Sequence, residues 1–258
     1  MGYITLFSDF GLQDASVAIA KGILMQHVSL NTIIDINHEV QPFNVHQAAY
    51  LFGSAYKNFP KGTCHLLLFD IFSAQNPRLI LSEYEGHYFL SPDNELLPLS
   101  LKNNVVNSWL CLELHRSHSF HNWLHKAGAI VAQLQNSTPD QLNLPEYELT
   151  SRVNAPLLTF EETLYDVVHI DQFENVTINF TKEEYALLSP GRNFSLKFTL
   201  VEEINEIREN YNDVREGYKL CRFNSNGYLE ICLNHGKAAS LFGLKLGGKS
   251  NNIKIAFT

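Results

Sequence analysis

The sequence contains no run of about eighteen apolar residues, so nothing in it reads as a membrane-spanning helix. It has no basic run interleaved with aromatics, and acidic residues outnumber basic ones by 27 to 19. The resulting net charge of −8 disfavours nucleic acid and anionic membrane surfaces as partners. The four cysteines, Cys64, Cys111, Cys221 and Cys232, form no CxxC pair and no zinc-type spacing. They read as buried or inert thiols of a reducing compartment rather than a secreted disulfide scaffold. The first residues lack the charged and long apolar regions of a signal peptide, so the expected location is the cytoplasm. No metal cluster is legible.

What is present is a substantial core: 45% of the 258 residues are hydrophobic, enough for one large domain or two smaller ones. The stretch Ile4 to Ser16 organises the first half. An apolar run, Ile4 to Phe7, breaks at Ser8-Asp9-Phe10-Gly11, and a second carboxylate, Asp14, precedes a helical pattern. Carboxylates at the end of a strand lie where open α/β sheets bind ligands. The same residues also suit a simple turn at Asp9 and Gly11 with Asp14 capping the helix. Two carboxylates without basic neighbours suit hydroxyl donors or an ammonium better than a phosphate.

Downstream, Ala15–His27 reads as a helix, Thr32–Ile36 as a strand, Val45–Tyr56 as a helix and Cys64–Phe69 as a buried strand ending at Asp70. This β-α-β-α-β order predicts a mostly parallel sheet. Short strands are expected at Leu79–Ser82 and His87–Leu90 around Glu85-Gly86, another in Val105–Leu114, and a helix over Ser119–Leu134. From Asn136 to Pro156 prolines and polar residues accumulate, which suggests a linker at about 136–160 between domains 1–150 and 151–258. Beyond it the pattern is β-rich: Leu164–Asp171, Asn175–Phe180, Phe194–Leu200, Lys219–Asn224, Tyr228–Asn234 and Ile253–Phe257. A hairpin turn is expected at Ser225-Asn226-Gly227 and a short helix within Asn234–Phe242. The fold class is therefore α/β, an N-terminal α/β domain followed by a smaller antiparallel β-barrel domain.

Seven stretches, in order, resemble one family: SDFGLQD (8–14), PFNV (42–45), FPKGTCHLLLFD (59–70), SPDNELL (91–97), SFH (119–121), HIDQFENVTINF (169–180) and NSNGYLEICLNHGKAAS (224–240). The sequence looks like the S-adenosylmethionine hydroxide adenosyltransferases, relatives of the fluorinase and chlorinase enzymes, over nearly its whole length. The resemblance implies a homotrimer with each site between the N-domain of one subunit and the C-domain of the next. It also implies substitution at ribose C5′ of S-adenosylmethionine by water, hydroxide or halide, with no cofactor beyond the substrate.

By the same resemblance, Asp9 accepts both ribose hydroxyls, for which an ionised carboxylate has two oxygens. Asp14, Ser16 and Asp171 match positions near the amino-acid group, where a carboxylate can pair with the ammonium. Phe43 falls at an aromatic that packs on the nucleoside. Phe173 and Asn175 match the adenine position, and Ser225 a contact to the substrate carboxylate. Asp70, Arg78 and His121 match a set that positions and activates water.

The departures concentrate at the nucleophile. A glycine-rich DPGVG loop in the family reads Asp70-Ile71-Phe72-Ser73-Ala74-Gln75-Asn76-Pro77-Arg78 here, and Gly-Arg-Asp after the family histidine reads Asn122-Trp123-Leu124. Without the glycines, bulky Ile71-Phe72 is expected to narrow the nucleophile pocket. Glu95 and Glu174 also stand at expected glycines. Three readings follow: a hydrolase of S-adenosylmethionine, a silent binder of S-adenosylmethionine or adenosine, and a halide-using transferase.

Overall fold

A computed structural model describes residues 2–28, 32–104, 106–113, 119–149, 163–247 and 251–258. The chain divides into two compact units, Met1–Asn154 and Ala155–Thr258.

The first unit is built on β1 (Tyr3–Ser8), α1 (Ser16–His27), β2 (Thr32–Asn37), α2 (Val45–Ala55), β3 (Cys64–Leu68), β4 (Arg78–Tyr84), β5 (His87–Pro92), α3 (Leu96–Ser100), β6 (Asn107–Glu113) and α4 (Phe120–Gln133). Its sheet has the order β2-β1-β3-β5-β4-β6. The first three pairings are parallel and the last two antiparallel. β3 is buried throughout, the signature of a parallel strand covered on both faces. Alternation along β1 and β3 divides the core. Ile4, Leu6, Cys64, Leu66 and Leu68 face α1 and α4, while Phe7, Leu67 and Phe69 pack with Ala48, Phe52 and Leu97 of α2 and α3. The β4–β5 hairpin turns through Glu85 and Gly86, both at positive φ, which matches the right-handed twist of the strands.

The stretch read as a linker is partly ordered into this unit. Pro139–Leu142 is a 3₁₀ turn, the Leu110 N–H donates to Pro145 O at 2.9 Å, and the Tyr147 N–H donates to Ser108 O at 2.8 Å. Residues 145–147 thus run along β6, whose outer edge needs hydrogen-bond partners.

The second unit contains β7 (Thr163–Tyr165), β8 (Val167–Ile170), β9 (Val176–Thr181), α5 (Lys182–Leu188), β10 (Phe194–Lys197), β11 (Glu203–Ile204), β12 (Lys219–Phe223), β13 (Tyr228–Leu233), α6 (Ala238–Phe242) and β14 (Ile253–Phe257). Its antiparallel character is as expected, but the described strands form two four-stranded sheets, β11-β10-β14-β7 and β12-β13-β9-β8, around one apolar core. No ladder among them closes a barrel. The apolar run Leu164–Asp171 is two strands in different sheets, divided at Asp166, whose C=O accepts the Asn179 N–H of β9 while its own N–H is turned to the Asn179 side chain. The chain leaves β9 through α5, whose start Thr181 and Glu184 fix as a capping box.

Candidate active site

In the first unit, β1 and β3 are neighbouring parallel strands with Ser8 opposite Leu68. Their carboxyl ends therefore release Asp9 and Asp70 side by side. The Asp70 N–H donates to Asp9 Oδ2 at 3.1 Å. Asp70 sits at φ +46, a conformation that L residues adopt at a cost and that clusters at functional positions. Burial is the main influence on Asp9 and pushes its carboxyl above the ordinary value. The Asp70 N–H pulls it down, and the nearby Asp70 charge pushes it up again.

Asp70 opens onto a cavity of about 430 Å³ lined by Phe43, Val45, Phe69, Ser73, Ala74, Asp93, Asn94 and Glu95. Phe43 is 84% exposed and held at φ +63, so an aromatic ring stands out from strained backbone at the cavity wall. Asn94 fixes the opposite wall by donating from Nδ2 to Phe69 O at 3.0 Å and accepting the Leu96 N–H at 3.1 Å. Ile71 and Phe72, expected to narrow the nucleophile pocket, do not line this cavity. Ile71 turns into the core beneath the sheet and Phe72 outward, which leaves small Ser73 and Ala74 at the wall. Ser73 closes the turn on Asp70 O through its N–H and its hydroxyl.

Arg78 does not reach Asp70 in this arrangement. Its guanidinium spans Glu113 (3.2 Å), Asp93 (3.5 Å) and the Tyr147 hydroxyl (3.0 Å), and Tyr147 donates to Asp93 at 2.5 Å. Asp93 joins this group to the cavity. His121 is exposed in the first turn of α4, and the preceding Phe120 packs edge-on against Phe10 at 5.3 Å. That contact ties the start of α4 to the turn carrying Asp9. Asp14 is exposed and accepts the Ser16 N–H at 2.8 Å, which lowers its carboxyl from the ordinary value.

In the second unit, the loop from β8 to β9 is wound around Asp171. Its Oδ1 accepts the N–H groups of Phe173 (2.9 Å) and Asn175 (2.8 Å), and its Oδ2 accepts the Asn175 amide (2.9 Å). Glu174 occupies the left-handed region at φ +62, which explains why glycine suits that position. It is secured there by Lys237 at 2.9 Å and the Ser240 N–H at 2.9 Å. Asp171, Phe173 and Asn175 line a second cavity of about 630 Å³ with Tyr211, Asn234 and His235. Phe173 is 75% exposed there, whereas Asn175 is buried. Ser225 is not brought to this loop. It lies in the β12–β13 hairpin turn, at the Thr181 end of β9, whereas the loop is at the Val176 end.

The sequence reading missed Asn94, Asp93, Glu113 and Tyr147 as wall and support residues. Among the described residues no group of three or more His, Cys, Asp or Glu is placed to hold a metal ion. All four cysteines are free and buried, and burial pushes the thiols of Cys64, Cys111 and Cys221 up to about 12. No helix among the described residues is long and apolar enough to cross a membrane.

Residues 4–139 match the SAM hydroxide adenosyltransferase N-terminal domain, and residues 165–251 match the C-terminal domain of the same family. The chain belongs to the SAM hydroxide adenosyltransferase family. This adenosyltransferase homologue is 26% identical over 259 residues to an (R)-S-adenosyl-L-methionine hydrolase of Methanocaldococcus jannaschii, covering 93% of this chain and 92% of that protein. A fluorinase of Actinopolyspora mzabensis is 37% identical over 60 residues only, 23% of this chain. The crystal structure of an uncharacterised conserved protein from Thermotoga maritima shares the fold with a TM-score of 0.80 at 25% identity, covering 98% of this chain and 99% of that one.

Proposed function

We propose that this chain hydrolyses S-adenosyl-L-methionine to adenosine and L-methionine. The observation that carries the reading is the junction of Asp9 and Asp70 beside the cavity bearing Phe43. In this reading Asp9 takes the ribose hydroxyls and Phe43 packs on the nucleoside. A water oriented at Asp70 attacks C5′ as the C5′–S bond breaks. The electron pair of that bond leaves with sulfur as the neutral thioether of methionine, so no acid is needed there. The attacking water passes its proton to the Asp70 carboxylate or, through solvent, to His121. Catalysis then rests on in-line alignment and on deprotonating water. The chemistry as written calls for no cofactor.

Full-length similarity to the archaeal hydrolase, against a short match to the fluorinase, supports water over halide as nucleophile. In the second unit, Phe173 offers a ring for the base and Asn175 an amide edge. Both of Asp171's oxygens are engaged by its own loop, so Asp171 acts here by shaping that loop around Asn175. The reading also includes a homotrimer in which each site takes residues from two subunits, and a cytoplasmic location that suits four buried free thiols.

The test is incubation of purified protein with S-adenosyl-L-methionine, with adenosine and methionine followed by chromatography against a no-protein control. Formation of both products in equal amounts is expected. Binding of S-adenosyl-L-methionine without products would make the chain a silent binder, and halide-dependent release of methionine with a 5′-halogenated nucleoside in place of adenosine would make it a halide-using transferase.

A further inference from the structure

The turn that carries Asp9 is held from outside by one residue of another strand's exit. The Ser8 hydroxyl, fully buried at the end of β1, lies 2.6 Å from His38 Nδ1. Three residues on, the Gly11 N–H donates to the His38 carbonyl at 2.7 Å, with Gly11 at φ +70, where a side chain would be strained. His38 thus grips both ends of the Ser8–Gly11 turn, and Asp9 lies between the grips. The Phe10 N–H also approaches Ser8 Oγ, at 3.4 Å.

The clamp is itself braced. His38 Nε2 lies 3.1 Å from Asp35 Oδ1, within ion-pair reach but out of line for a hydrogen bond, and Asp35 Oδ2 takes the Lys21 ammonium at 2.6 Å. Burial works against the charged form of Asp35, but Lys21 and His38 outweigh it and hold the carboxyl below its ordinary range. A carboxylate beside Nε2 favours the proton on that nitrogen, which leaves Nδ1 to accept from Ser8 Oγ. The order Ser8–His38–Asp35 has the sequence of partners of a nucleophilic triad. Ser8, however, is sealed from solvent, with its hydroxyl spent within the turn. The arrangement serves geometry rather than covalent chemistry.

We propose that His38 is a positioning residue for Asp9, a clamp that sets the Asp9 carboxylate where it meets both the Asp70 N–H and the substrate ribose. The ribose part rests on the function proposed above. The Asp70 part does not.

The experiment measures two quantities on His38→Ala, which removes the side-chain grip but keeps the Gly11 bond to the main chain. The first is the Asp9 carboxyl titration in the ligand-free protein, followed by carbon-13 NMR. The second is binding of adenosine and of 2′,3′-dideoxyadenosine by calorimetry. The clamp predicts that the Asp9 titration moves from its wild-type position. This movement is upward to the extent that the Asp70 N–H, which lowers the carboxyl, no longer reaches it. The clamp also predicts that adenosine binds at least about tenfold more weakly, the scale of one lost hydrogen bond to a charged group, while the dideoxy compound is affected less than about twofold. His38→Asn, which returns a polar group near Nδ1, is expected to recover most of the adenosine affinity.

An Asp9 titration unmoved in His38→Ala overturns the clamp, as does equal weakening of both nucleosides. If Asp9→Ala leaves adenosine binding intact while His38→Ala moves the Asp9 titration, the clamp stands and the ribose assignment fails. Should His38→Ala not fold, Ser8→Ala removes the same grip at nearly constant volume and is read against the same outcomes.

Discussion

The Asp70 main-chain N–H donates to the Asp9 carboxylate, so the residue assigned to the nucleophile and the residue assigned to the ribose are joined directly. Because this bond uses Asp70's backbone, Asp70→Asn retains it and removes only the charge. The variant is expected to fold and bind adenosine as the wild type does, and to release adenosine from S-adenosyl-L-methionine at least about tenfold more slowly, the lower end of general-base effects. Equal rates for the two proteins, by single-turnover chromatography, would remove Asp70 from the chemistry.

Asp9 gives a pH dependence with a defined sign. Its folded carboxyl titrates above the ordinary 3.8, chiefly through burial. A group of this kind binds its proton more tightly folded than unfolded, so its ionisation lowers stability as pH rises, fully so above the folded value. Asp9→Asn should therefore melt higher than wild type at pH 7, with the gap closing as pH falls through the folded value toward 3.8. Adenosine affinity should show the converse in the wild type, falling as acid protonates Asp9, and should be weak and flat with pH in Asp9→Asn. Thermal melts and calorimetry across pH 3 to 8 read both trends.

Phe43 trades stability for a ring at the cavity wall. Its positive φ costs roughly 1 kcal/mol for a residue with a side chain, and at 84% exposure little burial compensates. Phe43→Gly should leave urea stability unchanged or raise it by up to about 1 kcal/mol, the backbone relief being offset in part by glycine's unfolded-state entropy. The same variant should bind adenosine more weakly. Unaltered affinity would place the nucleoside elsewhere.

Arg78, Tyr147 and Asp93 form one bonded group. Tyr147→Phe removes the hydroxyl shared by the other two and should cost about 1 kcal/mol in urea unfolding. Arg78→Ala and Tyr147→Phe should be non-additive by at least about 0.5 kcal/mol, as neighbours in one network are. Simple additivity would mean that the hydroxyl contributes nothing to holding Arg78.

The parallel half of the first sheet was legible because its strands are continuous apolar runs and its helices carry an apolar stripe. Asp9 and Asp70 were legible for the same reason, since polar residues ending buried strands must emerge at one sheet edge. The break at Asp166 was not, because Val167 and Val168 continue the apolar run after the chain has changed sheets. α5 was missed although Thr181 and Glu184 carry the capping-box spacing. The partners of Arg78 were hidden by distance along the chain, Tyr147 standing in a stretch whose composition reads as linker. Sequence alone does not tell whether an apolar loop residue such as Ile71 faces a pocket or, as here, the core below.

That inward turn of Ile71 divides the loop after β3 into an anchor and a free span. Ile71 roots the chain beneath the sheet, while Phe72 points away and only Ser73 and Ala74 meet the cavity. The free span is tied back once, where Ser73 bonds Asp70 O, so its first turn and the carboxylate that precedes it are set together. In the proposed reading, Ser73 and Ala74 are therefore the loop side chains beyond Asp70 that shape the space in front of its carboxylate.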